Sequence, residues 1–207
     1  MAHPTEHGAA VCCHAQPSSN TLPAEENVDD LFVSHWQRPE ERPILHLTHR
    51  VTRHDGVGFD LASLIGRPFA VTFAYSRCQN AKKCPLVTAM VAELRRKLEK
   101  TGLLTKVRLL LVTYDADWDT PEVLRKYSER YKLALDDHVM FLRPAPDPYH
   151  RLFRDLHVPV SFNPTGVTMH GIYMILIDKN GRLARSYRTI VWDNDRVLAD
   201  LANLIDE

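Results

Sequence analysis

The segment from Phe69 to Pro85 constrains the fold of this chain more than any other feature. It begins with an apolar run, Phe69 to Tyr75, that is typical of a strand buried on both faces of a sheet. Cys78 and Cys84 follow the run, and Pro85 opens a stretch of helical periodicity. Because proline presets a helical φ and has no amide hydrogen, it favours the first turn of a helix. The segment therefore predicts a buried strand, a loop with two thiols and a helix.

Strand and helix patterns alternate along most of the chain. Buried strands are predicted at 69–75 and 107–114, and further strands at 139–142 and 172–177. Two short strands, at 44–53 and 57–59, are predicted on either side of the turn Asp55-Gly56. Helices are predicted at 85–100, from Asp119 or Thr120 onward, around 149–156 and along the apolar face 197–205. A turn at 178–181 pairs the strand before it with a polar-alternating strand after it, as a hairpin. This order predicts an α/β fold of the thioredoxin-like type, with three layers: a central mixed sheet and helices on both faces.

The chain is predicted to have three parts. Residues 1–27 are rich in Ala, Ser, Pro, His and Glu without periodicity, so we expect a flexible tail that contains His and Cys. Residues 28–43 form an extension that we expect to pack on the domain through Phe32, Val33 and Trp36. Residues 44–207 form the thioredoxin-like domain.

Charge and hydropathy limit the classes of binding partner and the cellular compartments that fit this chain. Lys and Arg together number 26, and so do Asp and Glu, so no basic field points to nucleic acid. No apolar run approaches the roughly 18–20 residues of a membrane helix. The first residues are polar and lack the apolar stretch of a secretory signal. We therefore expect either a cytoplasmic protein or one whose export segment is missing from this chain.

Cys78 and Cys84 are the candidate reactive residues. Cys84 lies at or beside the N-cap of the predicted helix, where free amides and the helix dipole stabilise a thiolate. Arg77, Lys82 and Lys83 add positive charge nearby. Two thiols in this position can form a redox pair or hold a soft metal, and the sequence leaves open which of them is the nucleophile. The simpler alternative is two unrelated cysteines, one buried and one in a surface loop.

Three motifs in order resemble the Sco (SenC) family of thioredoxin-fold copper proteins, from about residue 55 to 190. The run 73–78 followed by Cys84-Pro85 is similar to that family's aromatic-x-aromatic-x-x-Cys segment and its Cys-Pro. The run 115–121 is similar to its Asp-x-x-x-Asp-Thr-Pro segment. His170 stands eight residues before Asp178 of an Asp-x-x-Gly turn, as in the family's His-containing strand. The spacer between the cysteines has five residues here and three in the family.

The resemblance implies a copper site formed by Cys78, Cys84 and His170. Apart from the resemblance, we expect Asp119 to cap the following helix or to support the ligands. The resemblance also implies delivery of copper to the binuclear copper site of cytochrome c oxidase, or reduction of the cysteines there. The expected partners are a copper-accepting protein, such as a cytochrome c oxidase subunit, and a thiol reductant. The implied location is the periplasm or the outer face of a membrane. The alternative function is that of an enzyme, a thiol–disulfide oxidoreductase that uses Cys78 and Cys84 without a metal.

Two other clusters of ligand-type residues compete with this assignment. Asp115, Asp117 and Asp119 alternate after a predicted strand, but Thr120 and Lys126 occupy the positions where a calcium loop needs Gly and Glu. The tail contains five metal-ligand residues, which fit either incidental composition or auxiliary capture of copper. Those five residues are His3, His7, Cys12, Cys13 and His14.

Overall fold

The computed structural model describes residues 34–147, 150–163, 166–189 and 191–207. Nine strands run through these residues: β1 Arg50–Arg53, β2 Gly58–Asp60, β3 Phe69–Ala74, β4 Arg108–Thr113, β5 Val139–Pro144, β6 Val160–Asn163, β7 Gly166–His170, β8 Met174–Ile177 and β9 Leu183–Tyr187. Four α-helices accompany them: α1 Cys84–Lys100, α2 Pro121–Arg130, α3 Arg151–Asp155 and α4 Asn194–Asp206. Short 3-10 helices cover Leu61–Leu64 and Leu104–Lys106.

Seven of the strands form one mixed sheet in the order β2-β1-β5-β4-β3-β8-β9. The three central strands β3, β4 and β5 are parallel, and every other pairing in the sheet is antiparallel. Every residue of β3 is buried, as its uninterrupted apolar run predicts. The mixed sheet of the predicted α/β fold is therefore confirmed.

The two faces of the sheet carry separate apolar clusters. Along β3, Ala70 and Ala74 point to the face covered by α1, α2 and α4. Val71 and Phe73 point to the opposite face, where α3 and the 3-10 helix Leu61–Leu64 pack. This alternation follows from the two-residue period of a strand. Helices on both faces complete the predicted three-layer, thioredoxin-like architecture.

The described part of the extension, residues 34–43, packs on the domain. Ser34 donates its backbone N–H to the carbonyl of Ser186 at 2.8 Å, along the outer edge of β9. Trp36 packs against the core cluster that includes α4. The buried guanidinium of Arg42 pairs with Asp178 at 3.1 Å and Glu207 at 2.7 Å. The other two residues predicted to pack, 32 and 33, lie outside the described residues, as does the whole tail.

Several predicted boundaries are corrected by the structure. Of the predicted strand at 44–53, only Arg50–Arg53 forms a ladder, and Ile44 makes a single bridge to Arg182. Between predicted elements, the structure adds a two-stranded ribbon, β6–β7, which forms a sheet of its own. His170 ends β7 instead of starting the strand at 172–177, so it belongs to this ribbon and not to the central sheet.

Candidate metal centre

The loop between β3 and α1 folds back so that its two cysteines meet. Asn80 organises a turn: its carbonyl accepts from the backbone N–H of Lys83 at 2.9 Å, and its side-chain oxygen accepts from that of Lys82 at 3.0 Å. Cys84 is the first residue of α1, and Pro85 follows in the first turn, as predicted. The turn takes up the five-residue spacer and leaves the Cys78 and Cys84 side chains on the same side of the loop.

Three ligand atoms come together at the carboxyl end of β3. The sulfur atoms of Cys78 and Cys84 and a ring nitrogen of His170 all lie within 4.8 Å of one another. The Cys84 sulfur is 3.6 Å from Nε2 of His170. Cys84 is fully buried, whereas Cys78 and His170 are half-buried. Among the described residues this is the one group of three or more His, Cys, Asp or Glu side chains close enough to share a metal ion.

The two thiols differ in acidity because one donates a hydrogen bond to the other. The Cys84 thiol stabilises a thiolate on Cys78 and lowers the pKa of Cys78 to about 3, and His170 acts in the same direction. The same hydrogen bond, together with burial, raises the pKa of Cys84. The helix start predicted a thiolate at one of the two cysteines without saying which. Both pKa shifts favour the thiolate on Cys78, the more exposed of the pair.

Part of the positive charge close to the thiols in the sequence is paired with other residues in the structure. The Arg77 guanidinium forms an ion pair with Asp115 at 2.7 Å and lies 4.7 Å from the ring centroid of Trp118. Both Lys82 and Lys83 remain on the surface of the loop. The contribution of Arg77 to the thiolate is therefore weaker than its position in the sequence indicates.

Asp119 holds the start of the cysteine loop. Its buried carboxylate accepts a hydrogen bond from the backbone N–H of Ser76 at 3.1 Å, and the hydroxyls of Ser76 and Thr113 donate to it as well. Burial raises the pKa of Asp119, and these hydrogen bonds oppose the rise. Thr120, and not Asp119, caps α2, because its hydroxyl accepts from the N–H of Val123 at 3.3 Å. Asp119 thus supports the loop through Ser76, two residues before Cys78.

Two tyrosines contact His170, and neither is among the predicted site residues. The ring centroid of Tyr75 lies 5.2 Å from that of His170, and the centroid of Tyr114 lies 5.3 Å from it. The Tyr114 hydroxyl donates to the carbonyl of Gly171 at 3.0 Å, and burial raises the pKa of Tyr114. Each tyrosine directly follows one of the paired parallel strands β3 and β4, which is the signal that would have placed them together.

The residue after His170 is a glycine for a steric reason. A Cβ on Gly171 would lie 2.0 Å from Cε2 of Tyr173, well inside van der Waals contact. Any other residue there would move the Tyr173 ring or the backbone that carries His170. The link between the ribbon and β8 is therefore close-packed.

A cavity of about 1000 Å³ lies beside this centre. Arg77, Tyr114 and Asp115 line it, so it shares residues with the surroundings of the cysteine loop. Aromatic side chains from other elements, Trp118, Phe153 and Phe162, line it as well.

Comparison with known proteins identifies the family. The family model for SCO1/SenC matches residues 37–206. The chain belongs to the SCO1/SenC family. A curated SCO1 protein homolog of Bacillus subtilis (strain 168) is 30% identical over 83 residues, which are 40% of this chain and 41% of that protein. The match therefore spans less than half the length of that SCO1 homolog.

Solved structures of the SCO1/SenC family share the fold. A SCO1/SenC family lipoprotein from Bacillus anthracis str. Ames is 23% identical with a TM-score of 0.68, covering 79% of this chain and 97% of that one. BsSco, a member of the Sco family of cytochrome c oxidase assembly proteins with a disulfide switch, is 20% identical with a TM-score of 0.68, covering 82% and 98%. Copper-bound ScoI of Bradyrhizobium japonicum is 23% identical with a TM-score of 0.64, covering 78% and 99%.

Within the part of the chain that the structure describes, every helix is too short or too polar to cross a bilayer.

Proposed function

We propose that this SCO1/SenC protein binds copper through Cys78, Cys84 and His170 and passes it to a copper-accepting protein. The observation that carries the proposal is the convergence of the three ligand atoms within 4.8 Å of one another. The ligand set suits the ion, because thiolates are soft donors that favour Cu(I) and imidazole serves either oxidation state. The copper-bound ScoI of Bradyrhizobium japonicum, which has the same fold, gives further support.

The difference in burial between the two cysteines suits the transfer of copper to an acceptor. Cys84 and its sulfur are buried, whereas Cys78 is partly open to solvent, so ligands of an acceptor can approach from the Cys78 side. A lowered pKa means that Cys78 offers a thiolate without having to lose a proton at neutral pH. Bound copper is the cargo here, and the three side chains hold it until the acceptor takes it.

The acceptor that we propose is the copper site of cytochrome c oxidase or a similar site. BsSco, described as a member of the Sco family of cytochrome c oxidase assembly proteins, supports this assignment. We also propose action at the outer face of a membrane, which agrees with the lipoprotein nature of the Bacillus anthracis relative. In this proposal the unit that carries the site is residues 44–207, with the described residues 34–43 of the extension packed on it.

Copper titration of the reduced protein against a Cu(I) chelator tests the proposal. We expect one copper ion per chain, with His170→Ala weakening binding at least tenfold and Cys84→Ser weakening it further. His35→Ala, a change at an exposed histidine, is the matched control and should leave the affinity unchanged. No binding, or equal affinity in the wild type and His170→Ala, would contradict the proposed site.

A second function is favoured by the two free thiols and the lowered pKa of Cys78. In a thiol–disulfide exchange, the Cys78 thiolate attacks a substrate disulfide and expels one substrate thiolate, which takes up a proton. Cys84 then gives up its proton and attacks the Cys78 sulfur, which releases the second substrate thiol and leaves a Cys78–Cys84 disulfide. Two electrons pass from the protein to the substrate, and a thiol reductant restores the pair.

Equilibration with a glutathione redox buffer separates the two functions. A pure oxidoreductase still cycles Cys78 and Cys84 between dithiol and disulfide in His170→Ala, whereas the proposed copper site loses one of its ligands in this variant. If these two cysteines never form a disulfide with each other, the oxidoreductase function is excluded.

A further inference from the structure

The three proposed copper ligands stand on two different pieces of the fold. Cys78 and Cys84 flank the junction of β3 and α1, which belong to the central sheet and its helix layer. His170 ends β7 in the separate two-stranded β6–β7 ribbon. Because an isolated two-stranded ribbon is marginally stable in water, contacts outside the ribbon have to fix His170 against the cysteines.

Tyr114 makes such a contact from the central sheet. It directly follows β4 and is almost completely buried. The Tyr114 hydroxyl donates to the carbonyl of Gly171, the residue after His170, at 3.0 Å. The Tyr114 ring packs on the imidazole of His170, with the ring planes at 52°. One side chain thus holds both the backbone and the ring of the ligand.

The Tyr114 ring is itself fixed by neighbours in the core. It stacks on Phe73 of β3, with centroids 5.5 Å apart, and contacts Phe153 of α3 at 5.3 Å. It also meets Tyr75 edge-on at 6.4 Å, and Tyr75 contacts the same imidazole. Aromatic pairs at these separations are favourable beyond the area that they bury. The position of the Tyr114 ring is therefore set by residues of β3, the residue that follows β3, and α3, none of which belongs to the ribbon.

We propose that Tyr114 is the positioning residue that holds His170 in place for copper. This inference rests on the proposed copper function. Tyr114 contributes no ligand atom; it orders the imidazole when the protein folds, so that less ordering is left for the moment of binding. The hydroxyl and the ring act on different parts of the ligand residue, and they can be removed one at a time.

Two substitutions separate the contributions of the hydroxyl and the ring. Tyr114→Phe removes the hydrogen bond to Gly171 and keeps the ring, whereas Tyr114→Leu removes both. We expect Tyr114→Leu to weaken copper binding by roughly tenfold or more, as for other residues that orient metal ligands. The copper affinity of Tyr114→Phe should lie between those of the wild type and Tyr114→Leu. The thiolate-to-copper charge-transfer band in the absorption spectrum of the Cu(II) form should shift less in Tyr114→Phe than in Tyr114→Leu.

Tyr187→Phe is the matched control. Tyr187 is also buried, and its hydroxyl donates to Asp200 on α4 instead of to the backbone beside His170. This control should lower the free energy of unfolding without changing the copper affinity or the absorption. An equal loss of affinity in Tyr187→Phe and Tyr114→Phe would overturn the positioning role and indicate a general effect of stability.

A double-mutant cycle with His170→Ala decides whether Tyr114 acts through His170. If it does, Tyr114→Leu weakens copper binding in the wild type and has no further effect in His170→Ala. An equal fold-loss in both backgrounds would overturn the inference. Wild-type protein that binds no copper would instead contradict the proposed function.

The metal-free protein gives a readout that does not depend on copper. Side-chain NMR of the His170 ring should show increased motion in Tyr114→Leu and wild-type behaviour in Tyr187→Phe. An unchanged ring in Tyr114→Leu would overturn the inference even if copper binding fails altogether. The two proposals can therefore fail separately.

Discussion

The sulfur of Cys84 lies 3.6 Å from Nε2 of His170, although 86 positions separate the two residues in the chain. The contact joins the first residue of α1 to the last residue of β7. It brings an imidazole to a pair of thiols in which Cys84 lowers the pKa of Cys78. Two sulfur atoms and one imidazole nitrogen form a soft ligand set, which suits Cu(I).

The lowered pKa of Cys78 predicts an unusual pH profile for its alkylation. A thiol with an ordinary pKa of about 8.5 loses reactivity tenfold for each pH unit below it, because only the thiolate reacts. With a pKa of about 3, Cys78 stays a thiolate from pH 8 down to pH 5. We expect its alkylation rate, measured by mass spectrometry of the Cys78 peptide with iodoacetamide, to change less than about twofold over this range.

Cys84→Ala tests the cause of that profile. It removes the thiol that donates to Cys78, so the pKa of Cys78 should rise and the ordinary pH dependence should return. Glutathione alkylated under the same conditions serves as the reference thiol. A tenfold loss per pH unit at Cys78 in the wild type would contradict the assignment of the thiolate.

Asp119 is expected to stabilise both the fold and the cysteine loop. In Asp119→Ala, the partly buried N–H of Ser76 and the buried hydroxyl of Thr113 lose their acceptor. Leaving a buried donor unpaired costs about 1–3 kcal/mol, and we expect a loss of this size in urea unfolding. Copper affinity should fall too, because Ser76 leads directly into the loop of Cys78.

Two further variants control this prediction. Asp119→Asn keeps the shape and one acceptor oxygen, so it should lose less stability than the alanine variant. Asp117→Ala changes an exposed carboxylate in the same turn and should leave both stability and copper affinity unchanged. If Asp119→Ala were as stable as Asp117→Ala, the anchoring role would be wrong.

Local patterns in the sequence were sufficient for the core of the fold. The uninterrupted apolar run at β3 and the helical stripe beginning at Pro85 both predicted their elements to within a residue or two. The sequence left the helix cap open between Asp119 and Thr120, because both residue types are good caps and the tertiary fold decides which oxygen accepts.

The ribbon that carries His170 could not be predicted in the same way. Exposed and half-buried residues alternate along β6, and β7 has no buried residue, so neither has the apolar signal of a buried strand. His170 was therefore expected on the neighbouring strand, and its partners Tyr75 and Tyr114 were missed. Their contacts are tertiary and depend on the pairing of β3 with β4.

The buried ion pairs of Arg42 are expected to hold the extension on the domain. Arg42→Ala leaves the buried carboxylate of Asp178 and the half-buried one of Glu207 without their cation. Removing one partner of a buried pair costs about 3–5 kcal/mol, and urea unfolding should show a loss in this range. Arg38→Ala, at an exposed pair with Glu41, should change stability little. Equal stabilities of the two variants would contradict the prediction.

Cys12 and Cys13 provide a test of where copper binds in the full chain. If Cys78, Cys84 and His170 form the functional site, Cys12→Ser/Cys13→Ser should retain one tightly bound copper ion with unchanged affinity. The reason is that the variant keeps all three proposed ligands of the tight site, Cys78, Cys84 and His170.

Any additional copper in the wild type that disappears in this variant would measure auxiliary capture by the tail. Loss of the tight ion itself would contradict the three-ligand site, because that site contains neither of these cysteines. Copper content after gel filtration and competition with a Cu(I) chelator distinguish these results.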